Sequence, residues 1–211
     1  MPATSPSSWP LSWINRWHHV LVAPRRTRVL AELLAARIPQ RASVLDVGCG
    51  DGTIAKLILG LRPDVSVRGV EFLVRPACKI ECQSFDGSRL PFPDDSFDLC
   101  LFVDVLHHTN DPRILLREAV RVSRGWVLLK DHLDENVFDN LTLRAMDWVG
   151  NRPHGVTLTY NYQSPAQWAE HFAHCGLSQT YWSTDVPLYP FPFNLLLGRK
   201  LHFISLLKKT A

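Results

Sequence analysis

Residues 44–52 read Val-Leu-Asp-Val-Gly-Cys-Gly-Asp-Gly. An apolar run carrying one acid, Asp46, meets glycine at three alternate positions, Gly48, Gly50 and Gly52. Thr53 and the run Ile54-Ala-Lys-Leu-Ile-Leu then continue as a helix start. A strand that enters a glycine turn and leaves as a helix belongs to an α/β fold. The missing side chains let a ligand lie against the N–H groups at the helix N-terminus. The spacing narrows the ligand. A dinucleotide pattern G-x-G-x-x-G would need glycine at 53, where Thr53 stands.

The rest of the chain alternates strand and helix signals. An amphipathic helix is predicted over Arg25–Ile38, with Val29, Leu33, Leu34 and Ile38 on one face and Pro39 ending it. Strands follow at Ser43–Val47 and Ser66–Glu71, with a helix at Thr53–Leu61 between them. The stretch from Leu73 is short and broken by Pro76, so only a shortened or distorted helix fits before a third strand at Lys79–Ser84. A fourth strand is predicted at Phe97–Val103 and a helix over Asp111–Val122, capped by Asn110 or Asp111 with Pro112 at its first position. Trp126–Lys130 reads as a buried fifth strand, and two more lie near Ser178–Asp185 and Leu201–Leu207. This pattern predicts a single doubly wound, mostly parallel, seven-stranded sheet with helices on both faces. Ahead of it, Ser8–His19 places Trp9, Trp13 and Trp17 on one helical face, as core packing would. Residues 1–24 are therefore set apart from a domain over 25–211.

Composition bounds the compartment and the partners. Hydrophobic content of 46% and charged content of 20% suit one folded domain. The start lacks a signal-peptide pattern, and no apolar run approaches the roughly 18 residues of a membrane span. Five cysteines, an odd number, read as small buried apolar residues in a reducing cytoplasm. Cys78 and Cys82 lack the usual zinc spacing and have no second pair, so no metal is expected. Residues 1–41 are net +5 and residues 187–211 net +4, within a whole of +3, which leaves the middle acidic. Basic ends around an acidic centre suit a cationic ligand, and they leave contact with nucleic acid or anionic lipid open.

Three motifs together resemble the class I S-adenosylmethionine-dependent methyltransferases: VLDVGCGDG, then VRGVEF ending near Glu71, then FDGSRLPFPDDSFDLCLFVDVLHHTNDP from Phe85 to Pro112. The resemblance covers about residues 25–132, and the remainder more loosely. It implies a Rossmann-like sheet whose last strand is antiparallel, with S-adenosyl-L-methionine as cofactor, and it makes a lid over the acceptor pocket the second reading of the Trp9, Trp13 and Trp17 face. It also implies that Gly48, Gly50 and Gly52 cradle the methionine part and that Asp46 orients its ammonium. Glu71 would take the ribose hydroxyls, Phe72 would cover the adenine, and Asp86-Gly87 would meet its amino group. Main-chain atoms from Val103 and Asp104 to Val105 would touch the methionine end. Candidate bases at the ends of strands four and five are His107, His108, Asp131 and His132, with Asp104 beside them.

Residues 134–162 hold Asp147, Asn151, His154, Tyr160 and Tyr162, and the resemblance makes this segment the acceptor-binding insertion. Its aromatic content suggests a small hydrophobic or phenolic acceptor. The Asn-Pro-Pro-aromatic motif of amino-methylating DNA enzymes is replaced by Val103-Asp-Val-Leu, so nucleic acid is disfavoured. Two alternatives stay open. One is a methyltransferase acting on RNA, protein or a membrane lipid through the basic and apolar ends, including Pro187–Lys200. The other is a non-catalytic cofactor-binding module.

Overall fold

A computed structural model describes residues 23–151 and 159–210. The Trp9, Trp13 and Trp17 stripe and His154 lie outside the described residues. Helix α1 (Ala23–Ala35) packs Leu30, Ala31 and Leu34 into the core. It ends earlier than its apolar spacing predicts. The Arg62 guanidinium takes over the freed carbonyls, donating to Ala35 O at 2.8 Å, Ile38 O at 2.9 Å and Pro39 O at 3.1 Å. Then come β1 (Ser43–Val47), α2 (Thr53–Leu61) and β2 (Ser66–Glu71), as expected.

The expected short helix after β2 is absent, because residues 72–81 form bends and turns around Pro76. Strand β3 is accordingly only Cys82–Ser84, shorter than Lys79–Ser84. After β4 (Phe97–Val103), a 3-10 turn (Leu106–His108) leads to α3 (Pro112–Val122). Asp111 caps that helix, its side chain accepting from Arg113 N at 3.0 Å. Strand β5 (Ser123–His132) runs past the apolar stretch at both ends.

Two helices follow that periodicity did not mark. Helix α4 (Val137–Asn151) starts where the Asn136 side chain accepts from the amides of Phe138 and Asp139. Helix α5 (Pro165–His174) opens on a reciprocal capping box between Ser164 and Gln167. Strand β6 (Leu177–Ser183), a short helix α6 (Asn194–Leu197) and β7 (His202–Lys209) complete the chain.

The sheet order is β3-β2-β1-β4-β5-β7-β6. Strands β1 to β5 are parallel, and β7 runs antiparallel to both β5 and β6. Alternation along β4 builds two core layers. Leu99 and Leu101 face α1 and α2 with Ile58, Leu30 and Leu34, whereas Cys100 and Phe102 face Leu115, Leu116, Trp168 and Phe172 of α3 and α5. Strand order reverses between β1 and β4, and in such sheets the crevice beyond the strand ends at that point is where ligands bind.

Candidate functional site

The carboxyl end of β1 turns back on β2. Gly48 N and Cys49 N both donate to Val70 O, at 2.8 and 3.2 Å. Gly48 has φ +73°, and a Cβ there would lie 2.6 Å from Val105 Cγ2. The glycine turn thus seats directly on the loop after β4, which only a residue without a side chain permits. At Gly50, φ is +59° and the nearest atoms to a Cβ are 3.9 Å away on Arg75, so the backbone is open there. Glu71, at the end of β2, accepts from Gly50 N at 2.7 Å and from Phe72 N at 2.9 Å. One carboxylate therefore holds the glycine turn in place while standing at the strand end.

Phe72 and the Asp86-Gly87 turn stand beside this strand end. Phe72 is 61% exposed, and its ring lies alongside Gly87, where a Cβ would meet Phe72 Cδ2 at 3.5 Å. Asp86 Oδ1 accepts from Ser88 N, Ser88 Oγ and Arg89 N at 2.7–2.9 Å, and these bonds hold its carboxyl below the ordinary range. The carboxylate therefore shapes its own turn. Asp46 is buried in the middle of this arrangement. Burial, with Glu71 second, pushes its carboxyl up to about 7.

At the ends of β4 and β5 the charges are densest. Asp104 takes the left-handed φ of +57° and its amide donates to Lys130 O at 2.9 Å. Its carboxylate pairs with both Arg26 of α1 and Lys130 of β5. Burial raises its pKa, but Lys130 and Arg26 outweigh that and hold it well below the usual range. Lys130 is fully buried and reaches His202 Nδ1 at 3.2 Å.

Beside this cluster, His107 Nδ1 lies 2.6 Å from Asp131 Oδ1, and Leu106 N donates to Asp131 Oδ2 at 3.1 Å. Nε2 of His107 faces Asp147 Oδ2 at 3.4 Å, and Tyr162 donates its hydroxyl to that same carboxylate oxygen at 2.5 Å. Burial opposes a charge on His107, yet Asp131 and Asp147 prevail and raise it to about 10. His132 is different. Burial, then the cations Lys130 and His107, depress it, so it is a neutral imidazole with Nδ1 3.3 Å from His107 Nδ1. Burial and the adjacent His107 depress His108 to about 4.

Thus His107, Asp131 and His132 converge in one buried group, joined by Asp147 and Tyr162 from the insertion. His108 packs against His107 with ring centroids 4.1 Å apart and leaves Nδ1 without a partner. The side chain of Asn151 is not described. Arg26, Lys130 and His202 were missed by sequence reasoning, although a lysine inside the apolar run of β5 was a visible signal.

The model of the methyltransferase domain family matches residues 17–180. With the sheet order and the glycine turn, this defines a Rossmann-like class I methyltransferase domain, and S-adenosylmethionine is its cofactor. The chain belongs to the methyltransferase domain family. Among curated relatives, the 27-O-demethylrifamycin SV methyltransferase of Amycolatopsis mediterranei is 32% identical over 124 residues, covering 51% of this chain and 45% of that protein. The chain spans about half the length, or less, of such relatives.

Two solved structures share the fold. The 1,6-didemethyltoxoflavin-N1-methyltransferase of Burkholderia thailandensis, bound to 1,6-didemethyltoxoflavin and S-adenosylhomocysteine, is 16% identical with a TM-score of 0.64, over 100% of this chain and 93% of that one. The methyltransferase in complex with the Haloferax volcanii Trm112 methyltransferase activator is also 16% identical, with a TM-score of 0.66 over 98% and 100%.

The residues present fit the cofactor. An open backbone at Gly50, an acid at the end of β2, an exposed aromatic ring beside it and a buried carboxyl at Asp46 match a nucleoside joined to a cationic amino-acid tail.

Proposed function

We propose that the chain transfers a methyl group to a small, hydrophobic or phenolic acceptor. The observation that carries this reading is the buried set His107, Asp131 and His132 at the carboxyl ends of β4 and β5, with the Tyr162 ring packed against both histidines and Asp147 of α4 joining His107 and the Tyr162 hydroxyl. A planar molecule of modest size suits such a setting, whereas the backbone of a polymer does not. Bound S-adenosylmethionine supplies a methyl group on a positively charged sulfur, a good leaving group.

The chain's own residues bind, orient and move protons. The glycine turn and Asp46 hold the amino-acid tail, Glu71 takes the ribose hydroxyls, and Phe72 with Asp86-Gly87 borders the adenine. Val103 and Asp104 present main-chain atoms to the tail. His132, neutral at physiological pH, accepts the proton of an acceptor hydroxyl or amine. His107 is charged and held by two carboxylates, so it positions His132 rather than acting as the base. Residues 134–162 select the acceptor. Among the described residues all five cysteines are free, which supports a reducing, cytoplasmic setting.

A second reading rests on a separate observation. Phe191, Phe193, Leu195 and Leu196 are exposed, just before Arg199 and Lys200, as a segment touching an anionic lipid surface would be. No helix among the described residues is long and apolar enough to cross a membrane.

The test is methyl transfer from radiolabelled cofactor into a host extract. Label recovered in the solvent-extractable fraction outside phospholipid supports the small acceptor. Label in phospholipid moves the reading to the membrane, and label only in acid-precipitated polymer overturns it.

A further inference from the structure

The expectation of no metal rested on the spacing of Cys78 and Cys82 along the chain. The fold changes the count of ligands. It brings Cys49, from the middle of the glycine turn, to within 3.4 Å of Cys82 Sγ, and the sulfurs of Cys49, Cys78 and Cys82 all lie within 4.8 Å of one another. These three are half-buried, unlike the buried Cys100 and Cys175, so the reading of all five as core residues holds only for those two.

The sulfurs come from three segments: the turn after β1, the loop after β2 and the start of β3. Two glycines make room for them. A Cβ at Gly69 would lie 2.6 Å from Cys49 Sγ, and one at Gly52 would lie 3.2 Å from Cys78 Sγ and 2.9 Å from Ile80 Cγ1. The backbone therefore closes around the sulfurs and limits where they can go. Main-chain bonds tether the same segments, from Lys79 N to Asp51 O at 2.9 Å and from Gly69 N to Glu81 O at 2.8 Å.

We propose that Cys49, Cys78 and Cys82 form a three-sulfur site for a thiophilic divalent cation, zinc being the natural occupant. Zinc–sulfur bonds of about 2.3 Å in tetrahedral geometry place sulfurs about 3.8 Å apart, within the spread seen here. Three ligands leave one coordination position for water. A disulfide would join only two of the three thiols, whereas one ion uses all of them.

On binding, each thiol gives its proton to solvent as its sulfur bonds the cation, so one ion releases three protons and nothing is oxidised or reduced. The resulting site carries one net negative charge. Arg75 and Lys79 are cations on the same loop, Lys79 pairing with Asp51 at 3.2 Å. An ion here would pin residues 72–81, and so Phe72, to the glycine turn. It would thereby couple metal occupancy to the cofactor site, a consequence that rests on the cofactor reading; the metal site itself does not.

The test titrates reduced, chelator-treated full chain with cadmium, whose bonds to sulfur absorb in the ultraviolet. One ion per chain with a sulfur-to-cadmium band is expected. Cys78→Ser and Cys82→Ser should each weaken binding at least tenfold, and Cys100→Ser should not. Absence of the band, or equal binding by Cys78→Ser and wild type, overturns the site. Thiol alkylation of the unmutated chain gives an answer that does not depend on how variants fold. Cadmium should protect Cys49, Cys78 and Cys82 in peptide mapping, and protection of any other set refutes the proposal. Neither readout uses methyl transfer, so failure of the metal site and failure of the enzymatic reading are distinguishable.

Discussion

His107 Nδ1 stands 2.6 Å from Asp131 Oδ1 with both side chains excluded from water, which makes the stability of this pair depend on pH. His107 is raised from 6.5 to about 10 in the folded chain. A raised pKa adds stability that is complete below the unfolded value of 6.5 and is lost as pH rises through about 10. Asp131 is lowered; burial opposes this, and His107 outweighs it. Its share is therefore present above the unfolded value of 3.8 and lost in acid. Asp131→Asn should flatten the alkaline decline. Urea midpoints measured below pH 6.5 and near pH 9 check this, and an equal decline in variant and wild type would refute it.

Asp104 is the sole carboxylate paired with both Arg26 and Lys130 among the described residues. Asp104→Asn leaves the Lys130 ammonium buried without its partner, at a cost of about 3–5 kcal/mol. Adding Lys130→Met removes that uncompensated charge and should recover more than half of the loss. Calorimetric melting of both variants decides it, and a double variant no more stable than Asp104→Asn contradicts the account.

Glu71 joins the glycine turn to the proposed ribose site. Glu71→Ala should weaken S-adenosylhomocysteine binding by about 1–3 kcal/mol, through lost hydrogen bonds to a charged acceptor. Titration calorimetry measures this directly. Affinity within twofold of wild type would remove Glu71 from the ribose role.

His132 as base predicts a loss of kcat of roughly 10²–10⁴-fold in His132→Ala, with the acid limb of the pH–rate profile abolished. Asp131→Asn should instead shift that limb, because it alters the charge beside the imidazole. Unchanged kcat at every pH in His132→Ala assigns the base elsewhere or dispenses with one.

The sheet was legible because buried parallel strands are written as apolar runs, and β1, β2, β4 and α2 lie where those runs lie. The places of Glu71 at the end of β2 and of the three glycines in the turn after β1 were legible because strand ends follow from order along the chain. The His107, Asp131, Asp147 and Tyr162 cluster was legible only as four separate residues, since its geometry depends on where α4 and the 159–163 segment return over the sheet. Helix α5 is announced by Ser164-Pro-Ala-Gln, a capping box that apolar periodicity does not register. The Cys49, Cys78 and Cys82 cluster could not be read from spacing, because the ligand that completes it comes from a different strand end.

Asp46 offers the sharpest test of the cofactor site. Burial pushes its carboxyl up to about 7, so in the free chain it titrates in the neutral range. A cationic amino-acid tail placed beside it favours the charged form, so binding should release protons near pH 7. Calorimetry in buffers of different ionisation enthalpy measures that release. Asp46→Asn should abolish it while the adenosine contacts still support weak binding. S-adenosylhomocysteine, which keeps the ammonium but lacks the sulfonium charge, separates the two cations. Release equal to that with S-adenosylmethionine assigns the effect to the ammonium, and a smaller release assigns part of it to the sulfur. Proton release that persists unchanged in Asp46→Asn would place the titrating group elsewhere.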